Sequence, residues 1–209
     1  MRVVSLFSGI GGFDLALERL GHTTIAYSEV DPWACSVMAV RFPEARPLGD
    51  ITTIDWSQLE RPDILCGGFP CQDLSVAGNR AGLDGARSGL WGEYVRAIRD
   101  LRPRLVIVEN VPGLLTLGMG RVLGDLAALG YDAEWQVLSA ADVGAPHRRE
   151  RVWIVAHRDG GPGWGESQPA GIESPCRGEF DGRGDVRGLD AGARWPTPRT
   201  EDGESTTQS

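Results

Sequence analysis

The chain has 209 residues, 41% of them hydrophobic and 24% charged, with a formal net charge of −8. That is enough for one domain, or one domain with an extension, to bury a real apolar core without disulfides or metal. No apolar run approaches the roughly 18 residues of a membrane span, and the acidic balance argues against a sequence-independent grip on polyanions, which needs a basic surface.

Residues 1–7 lead straight into an apolar run and then glycines, without the pattern of a signal peptide, so a cytoplasmic protein is expected. Cys35, Cys66, Cys71 and Cys176 have no zinc-like spacing, so free thiols and no metal site are expected. All 21 basic residues are arginine, which reads first as base-composition bias and only second as selection for phosphate contacts. Any role with nucleic acid must therefore rest on local basic clusters.

Strand-like and helix-like segments alternate along the chain. Residues 3–7 form a short apolar run, and Phe13, Leu17 and Leu20 recur at helical spacing before Gly21 stops the helix. Residues 23–29 are β-rich, and residues 32–41 read as a helix with Asp31 as its cap and Pro32 in its first turn. Strands are expected at 64–67 and 105–110, separated by a Gly-rich loop and an amphipathic helix at 90–101. A short helix at 121–129 and late strands at 135–138 and 151–156 complete the pattern. Strands alternating with helices imply an α/β fold, a Rossmann-like, doubly wound, mostly parallel sheet.

Near Arg158 the composition changes. Residues 1–158 carry 19 acids and 16 arginines, whereas residues 159–209 carry 10 acids, five arginines and only 10 apolar residues in 51. Such a tail cannot offset its own ordering entropy, so loop or disorder is expected unless a partner completes it. The expected division is 1–158 as one globular domain and 159–209 as a Gly/Pro/acid-rich loop or disordered tail.

Four segments carry candidate chemistry. Phe7-Ser-Gly-Ile-Gly-Gly12 follows the first strand and opens the first helix, where glycines let a backbone approach a cofactor and free amides offer donors. With Glu29 at the end of the second strand it suggests a nucleoside-containing cofactor; a plain glycine turn with a helix-capping acid is the competing reading. Gly67-Gly-Phe-Pro-Cys-Gln places Cys71 in a loop at the carboxyl end of a parallel strand, where such sheets hold their active sites and a thiolate is a strong nucleophile. Cys66 reads as core. Val108-Glu-Asn-Val-Pro-Gly113 brings Glu109 to the same edge, and His147-Arg-Arg-Glu-Arg151 is a basic cluster. Strand alternation there puts Arg149 and Arg151 on one side and Arg148 on the other.

In this order and spacing, these motifs, with Ser28-Glu-Val-Asp31 and Gly49-Asp-Ile51, resemble the DNA (cytosine-5) methyltransferases, most closely the compact prokaryotic and phage members. The resemblance covers nearly all of residues 3–156. It implies S-adenosylmethionine as cofactor, with Phe7, Gly9, Gly11 and Gly12 shaping its pocket, Glu29 on the ribose, Val30 packed on the adenine and Asp50 on the adenine amine. It also implies Cys71 as the nucleophile on carbon 6 of cytosine, Pro70 fixing its loop, Glu109 holding the base through ring nitrogen 3 and the exocyclic amine, and Arg149 and Arg151 as the family's paired arginines. Such chemistry needs double-stranded DNA from which the base is flipped out.

Two departures stand out. His147 takes the place of the family's usual Gln, and the family's target-recognition region and two C-terminal motifs have no recognisable counterpart before Ser209. A second chain or a further segment supplying target recognition, or an inactive remnant that binds cofactor or a partner, is the alternative to a self-sufficient enzyme.

Overall fold

Alternating residues of the first strand face two different layers. In Arg2–Leu6 (β1) Val4 and Leu6 join the larger apolar cluster, while Val3 packs with Leu17, Ile64 and Cys66. All are fully or nearly fully removed from water, as a strand covered on both faces requires. The computed structural model of the chain describes residues 1–70 and 89–158, with the backbone of 179–180 and 186–187.

Around β1 stand Thr23–Ser28 (β2), Arg46–Pro47 (β3), Ile64–Gly67 (β4), Leu105–Asn110 (β5), Tyr131–Leu138 (β6) and Arg151–Arg158 (β7). They form one seven-stranded sheet in the order β3-β2-β1-β4-β5-β7-β6. β3, β2, β1, β4 and β5 are parallel, and β7 lies antiparallel to both β5 and β6. The expected doubly wound, mostly parallel sheet is therefore present, with one reversed strand. Chain order changes direction between β1 and β4, which opens a crevice at their carboxyl ends.

The helices form where their sequences favour them. Gly12–Arg19 (α1) ends at Gly21, whose φ is 78°. Pro32–Arg41 (α2) is capped by Asp31, whose side chain accepts from the Ala34 amide at 2.8 Å. Leu90–Leu101 (α3) buries Trp91, Tyr94, Ile98 and Leu101, the single stripe expected of an amphipathic helix. Leu114–Leu117 (α4) and Met119–Ala128 (α5) follow β5, and Met119, Val122 and Leu126 of α5 enter the same core as α3.

Early boundaries shift by a single residue, and the larger differences from the sequence expectation lie late in the chain. α5 starts two residues earlier, β6 starts at Tyr131 and β7 runs on to Arg158. The two late strands pair with each other over their whole length, Tyr131 opposite Arg158 and Leu138 opposite Arg151. β6 is the edge strand, so Asp132 and Glu134 alternate towards solvent and break the apolar run that sequence reading relies on.

Among the described residues no helix is long and apolar enough to cross a membrane. Beyond Arg158 they comprise only an antiparallel ladder of Glu179–Phe180 (β8) and Val186–Arg187 (β9). The loop or disorder expected for the rest of that tail, and the role of Cys176, fall outside the described residues.

Candidate active site

At the end of β1 the chain turns through three left-handed residues, Phe7 (φ 51°), Gly9 (φ 53°) and Gly11 (φ 83°). Phe7 is the costly member, since a side chain disfavours that region; its ring packs on Tyr94 of α3 with centroids 6.4 Å apart. Gly11 is required on two counts. A Cβ there would sit 2.7 Å from the Phe42 ring and 2.8 Å from the Met38 sulfur, in a backbone conformation that already disfavours side chains.

Glu29 ties this turn to the next one. Its Oε2 accepts from the Gly9 amide at 2.8 Å, and its Oε1 accepts from the amides of Val30 and Asp31 at 2.8 and 2.9 Å. The carboxylate thus joins the glycine turn to the start of α2. Val30 stands 68% exposed beside it, an apolar side chain with no protein surface over most of its area.

Asp50 caps the short 3-10 turn Ile51–Thr53. Its Oδ1 accepts from the amide and hydroxyl of Thr52, both at 2.9 Å, and these bonds hold the carboxyl below its ordinary range. Oδ2 takes no hydrogen bond among the described residues, which leaves an ionised acceptor facing outward.

The second edge is built by β4, β5 and β7. Glu109 sits opposite Trp153 in the β5–β7 ladder, and its Oε1 pairs with Arg151 Nε at 2.8 Å. Its other oxygen, Oε2, lies against Gly68, where a Cβ would come within 2.6 Å of it. Gly68 is therefore the residue that lets the loop after β4 pass the carboxylate. That loop continues through Phe69, buried against Trp91 at 5.1 Å between ring centroids, to half-buried Pro70. Cys71, the expected nucleophile, lies outside the described residues.

Arg149 corrects the expected alternation. Its φ of 34° is left-handed, so the chain there is not extended and β7 begins only at Arg151. The cause is local: the Arg148 carbonyl accepts from the Ala140 amide at 2.6 Å and from the Ser139 hydroxyl at 2.5 Å, which bends 147–150 toward the 3-10 turn Ala140–Val143. Arg149 nevertheless lines the same cleft as Glu109, the partner of Arg151. Phe7, Ser8, Gly12, Glu109, Arg149 and Trp153 are among the residues lining one open cleft of about 400 Å3. Residues expected at the cofactor (Phe7, Gly12) and at the base (Glu109, Arg149) thus share a cleft, which Gly9, Gly11, Glu29, Val30, Asp50 and Arg151 do not line.

The thiols of the two described cysteines are both held above the ordinary range. Burial pushes up the Cys66 thiol, and Asp14 adds to the effect; burial likewise raises Cys35, with Glu29 and Asp31 nearby. Among the described residues no group of three or more His, Cys, Asp or Glu is placed to hold a metal ion.

Sequence reasoning missed three supports. Asn110 is 3% exposed; its side-chain amide donates to the Phe69 carbonyl at 3.1 Å, and its Oδ1 accepts from Val111 at 2.8 Å, so it anchors the loop that leads to Cys71. Asp14 is fully buried in α1 and accepts from the hydroxyls of Ser5 at 3.0 Å and Thr24 at 2.9 Å. That network fastens α1 to β1 and β2 behind the glycine turn. Gly68 is the third. The adjacency of Asn110 to Glu109 was the available signal for the first; Asp14 depends on hydroxyls of two strands that flank its helix in sequence, and Gly68 on Glu109 of a later strand.

Residues 1–167 match the family model for C-5 cytosine-specific DNA methylase. The type II methyltransferase M2.BsuMI of Bacillus subtilis is 42% identical over 164 residues, which are 75% of this chain and 42% of that protein. The type II methyltransferase M.HhaI of Haemophilus parahaemolyticus is 36% identical over 163 residues, 76% of this chain and 50% of that protein. The chain therefore spans half or less of the length of these relatives. Among solved structures, S. pombe Dnmt2 methyltransferase superposes with a TM-score of 0.64 at 22% identity, over 78% of this chain and 53% of that one, and shares the fold. With its sheet, its glycine turn and its sequence matched over three quarters of its length, the chain belongs to the C-5 cytosine-specific DNA methylase family.

Proposed function

We propose that residues 1–158 are the catalytic domain of a DNA (cytosine-5) methyltransferase that acts on a flipped-out cytosine, with Cys71 as nucleophile. The observation that carries the reading is the Glu109–Arg151 pair at 2.8 Å, set at the carboxyl edge of the sheet beside the loop that runs through Gly68 and Pro70 to Cys71. S-adenosylmethionine, when bound, supplies an electrophilic methyl group. The residues present fit it: Asp50 offers an unused acceptor for the adenine amine, Val30 an uncovered apolar surface, and Glu29 and Phe7 the frame between them. Gly9, Gly11 and Gly12 keep that frame close to the backbone.

Carbon 5 of cytosine is a weak nucleophile until a thiolate adds to carbon 6, which turns the ring into an enamine. Cys71 performs that addition, and Pro70 limits the freedom of its loop. Glu109 holds ring nitrogen 3 and the exocyclic amine and shares a proton with the ring as charge builds there. Arg151, by occupying Oε1, orients the carboxyl, and with Arg149 it supplies positive charge toward the base oxygen. Loss of the carbon-5 proton then expels the thiolate and restores the aromatic ring.

The reading places the protein with double-stranded DNA in the cytoplasm of a prokaryotic cell or a phage-infected host. Because the relatives are about twice as long, we infer that residues 159–209 lead into a target-recognition region, completed by a further segment or a second chain. DNA carrying 5-fluorocytosine tests the mechanism, since fluorine blocks the elimination that frees the enzyme. With S-adenosylmethionine it should trap a covalent adduct in the wild type and none in Cys71→Ser; an undiminished adduct in that variant overturns the assignment.

A further inference from the structure

Arg96 lies on α3 and does not line the cleft, and it carries a charge that a helix of this kind normally turns to solvent. Its guanidinium instead uses each of its three nitrogens in a hydrogen bond. Nε donates to Glu93 Oε2 at 2.7 Å, Nη1 to the Ile54 carbonyl at 2.8 Å and Nη2 to the Ile51 carbonyl at 2.7 Å. The group also sits 5.7 Å from the centroid of Trp56, a ring only 2% exposed. Both carbonyls belong to the turn that follows Asp50, and Ile51 is buried beneath it. The planar fork of arginine can span two carbonyls in fixed geometry, which a lysine ammonium cannot.

The same turn aims Asp50. Asp50 Oδ1 is used within the turn by Thr52, and the Asp50 carbonyl accepts from the Thr53 amide at 3.0 Å, so the direction of Oδ2 follows the conformation of 50–54. An ionised carboxylate only accepts hydrogen bonds. It matches a purine that presents an amine at carbon 6 and repels one that presents a carbonyl there.

We propose that Arg96 is a positioning residue for adenine selection: from α3 it clamps the Ile51 and Ile54 carbonyls and thereby holds Asp50 Oδ2 toward the purine 6-amino group. The proposal rests on the reading of Asp50 as the adenine contact. It assigns the choice of cofactor base to two elements, of which only one meets the ligand.

Calorimetry on the whole chain with S-adenosylhomocysteine and S-inosylhomocysteine, which differ only in the 6-amino or 6-oxo group, tests both levels. The wild type should prefer the adenosyl ligand by about 10- to 100-fold, the value of one hydrogen bond to a charged acceptor. In Arg96→Lys the adenosyl affinity should fall by about 10-fold while the inosyl affinity stays within about twofold, so the preference collapses. A general loosening of the fold would instead weaken both ligands alike and leave the preference intact, which overturns the role of Arg96. Asp50→Asn should shift the preference toward the inosyl ligand. Equal affinities in the wild type, or no binding of either ligand, overturn the Asp50 reading and the proposal with it; a preference that survives Arg96→Lys overturns Arg96 alone. Should Arg96→Lys fail to fold, Glu93→Gln loosens the guanidinium without removing it and should narrow the preference by about threefold; an unchanged preference there refutes the proposal.

Discussion

Gly68→Ala separates the fold from the chemistry. The added methyl would lie 2.6 Å from Glu109 Oε2, about 0.8 Å short of the 3.4 Å at which ordinary contact begins. The nearest other atom is the Glu109 carbonyl oxygen at 3.5 Å, so the clash is with the far end of one side chain. Glu109 can swing away, but only by stretching its 2.8 Å pair with Arg151. For folding that is cheap: a partly exposed ion pair is worth about 0 to 1 kcal/mol, so the melting temperature should fall by no more than about 4 °C. For catalysis it is expensive, because a displacement near 1 Å in a reacting constellation costs on the order of 100-fold. Thermal unfolding and the rate of adduct formation on 5-fluorocytosine DNA, measured side by side, give the comparison. Adduct formation within about twofold of wild type would refute the geometry assigned to Glu109, as would a cost in stability that persists when Glu109 is also replaced by Ala.

Two further outcomes follow from the supports behind the cleft. Burial raises the Asp14 carboxyl above its ordinary range despite the bonds from Thr24 and Ser5, so the folded chain holds that proton more tightly than the unfolded one. Stability should therefore fall as pH rises from the ordinary carboxylate range through the raised folded value; denaturant titrations should show this fall in the wild type and not in Asp14→Asn, and parallel curves would contradict it. Asn110→Ala strands the Phe69 carbonyl and the Val111 amide, costing about 1–3 kcal/mol of stability, and should slow adduct formation by more than the lost folded fraction explains. Adduct formation that merely tracks that fraction would reduce Asn110 to a packing role.

The order of the longer strands and helices was legible because each rests on local pattern, whereas the short β3 and α4 were not expected. The Asp31 cap, Pro32 in the first turn of α2 and the apolar stripe of α3 are all short-range signals, and the structure places them where sequence reading expects. The reversal of β7 was not legible, since an apolar run is the same in either direction and only pairing with β5 and β6 fixes its sense. Arg149 shows the same limit at the site: alternation assumes extended backbone, and a capping serine ten residues earlier bends it. Asp14 and Arg96 carried no signal in the sequence, because the hydroxyls and carbonyls that hold them belong to other elements and meet them only in the fold. The motifs pointed to the family as a set, whereas the residues packed behind them had no motif of their own.

The most direct test of the central claim is peptide mapping of the species trapped on 5-fluorocytosine DNA in the presence of S-adenosylmethionine. The account predicts a cross-link on the peptide that contains Cys71, with the transferred methyl group on carbon 5 of the fluorinated ring. A cross-link on Cys35, Cys66 or Cys176, or an adduct at Cys71 that carries no methyl group, would contradict it.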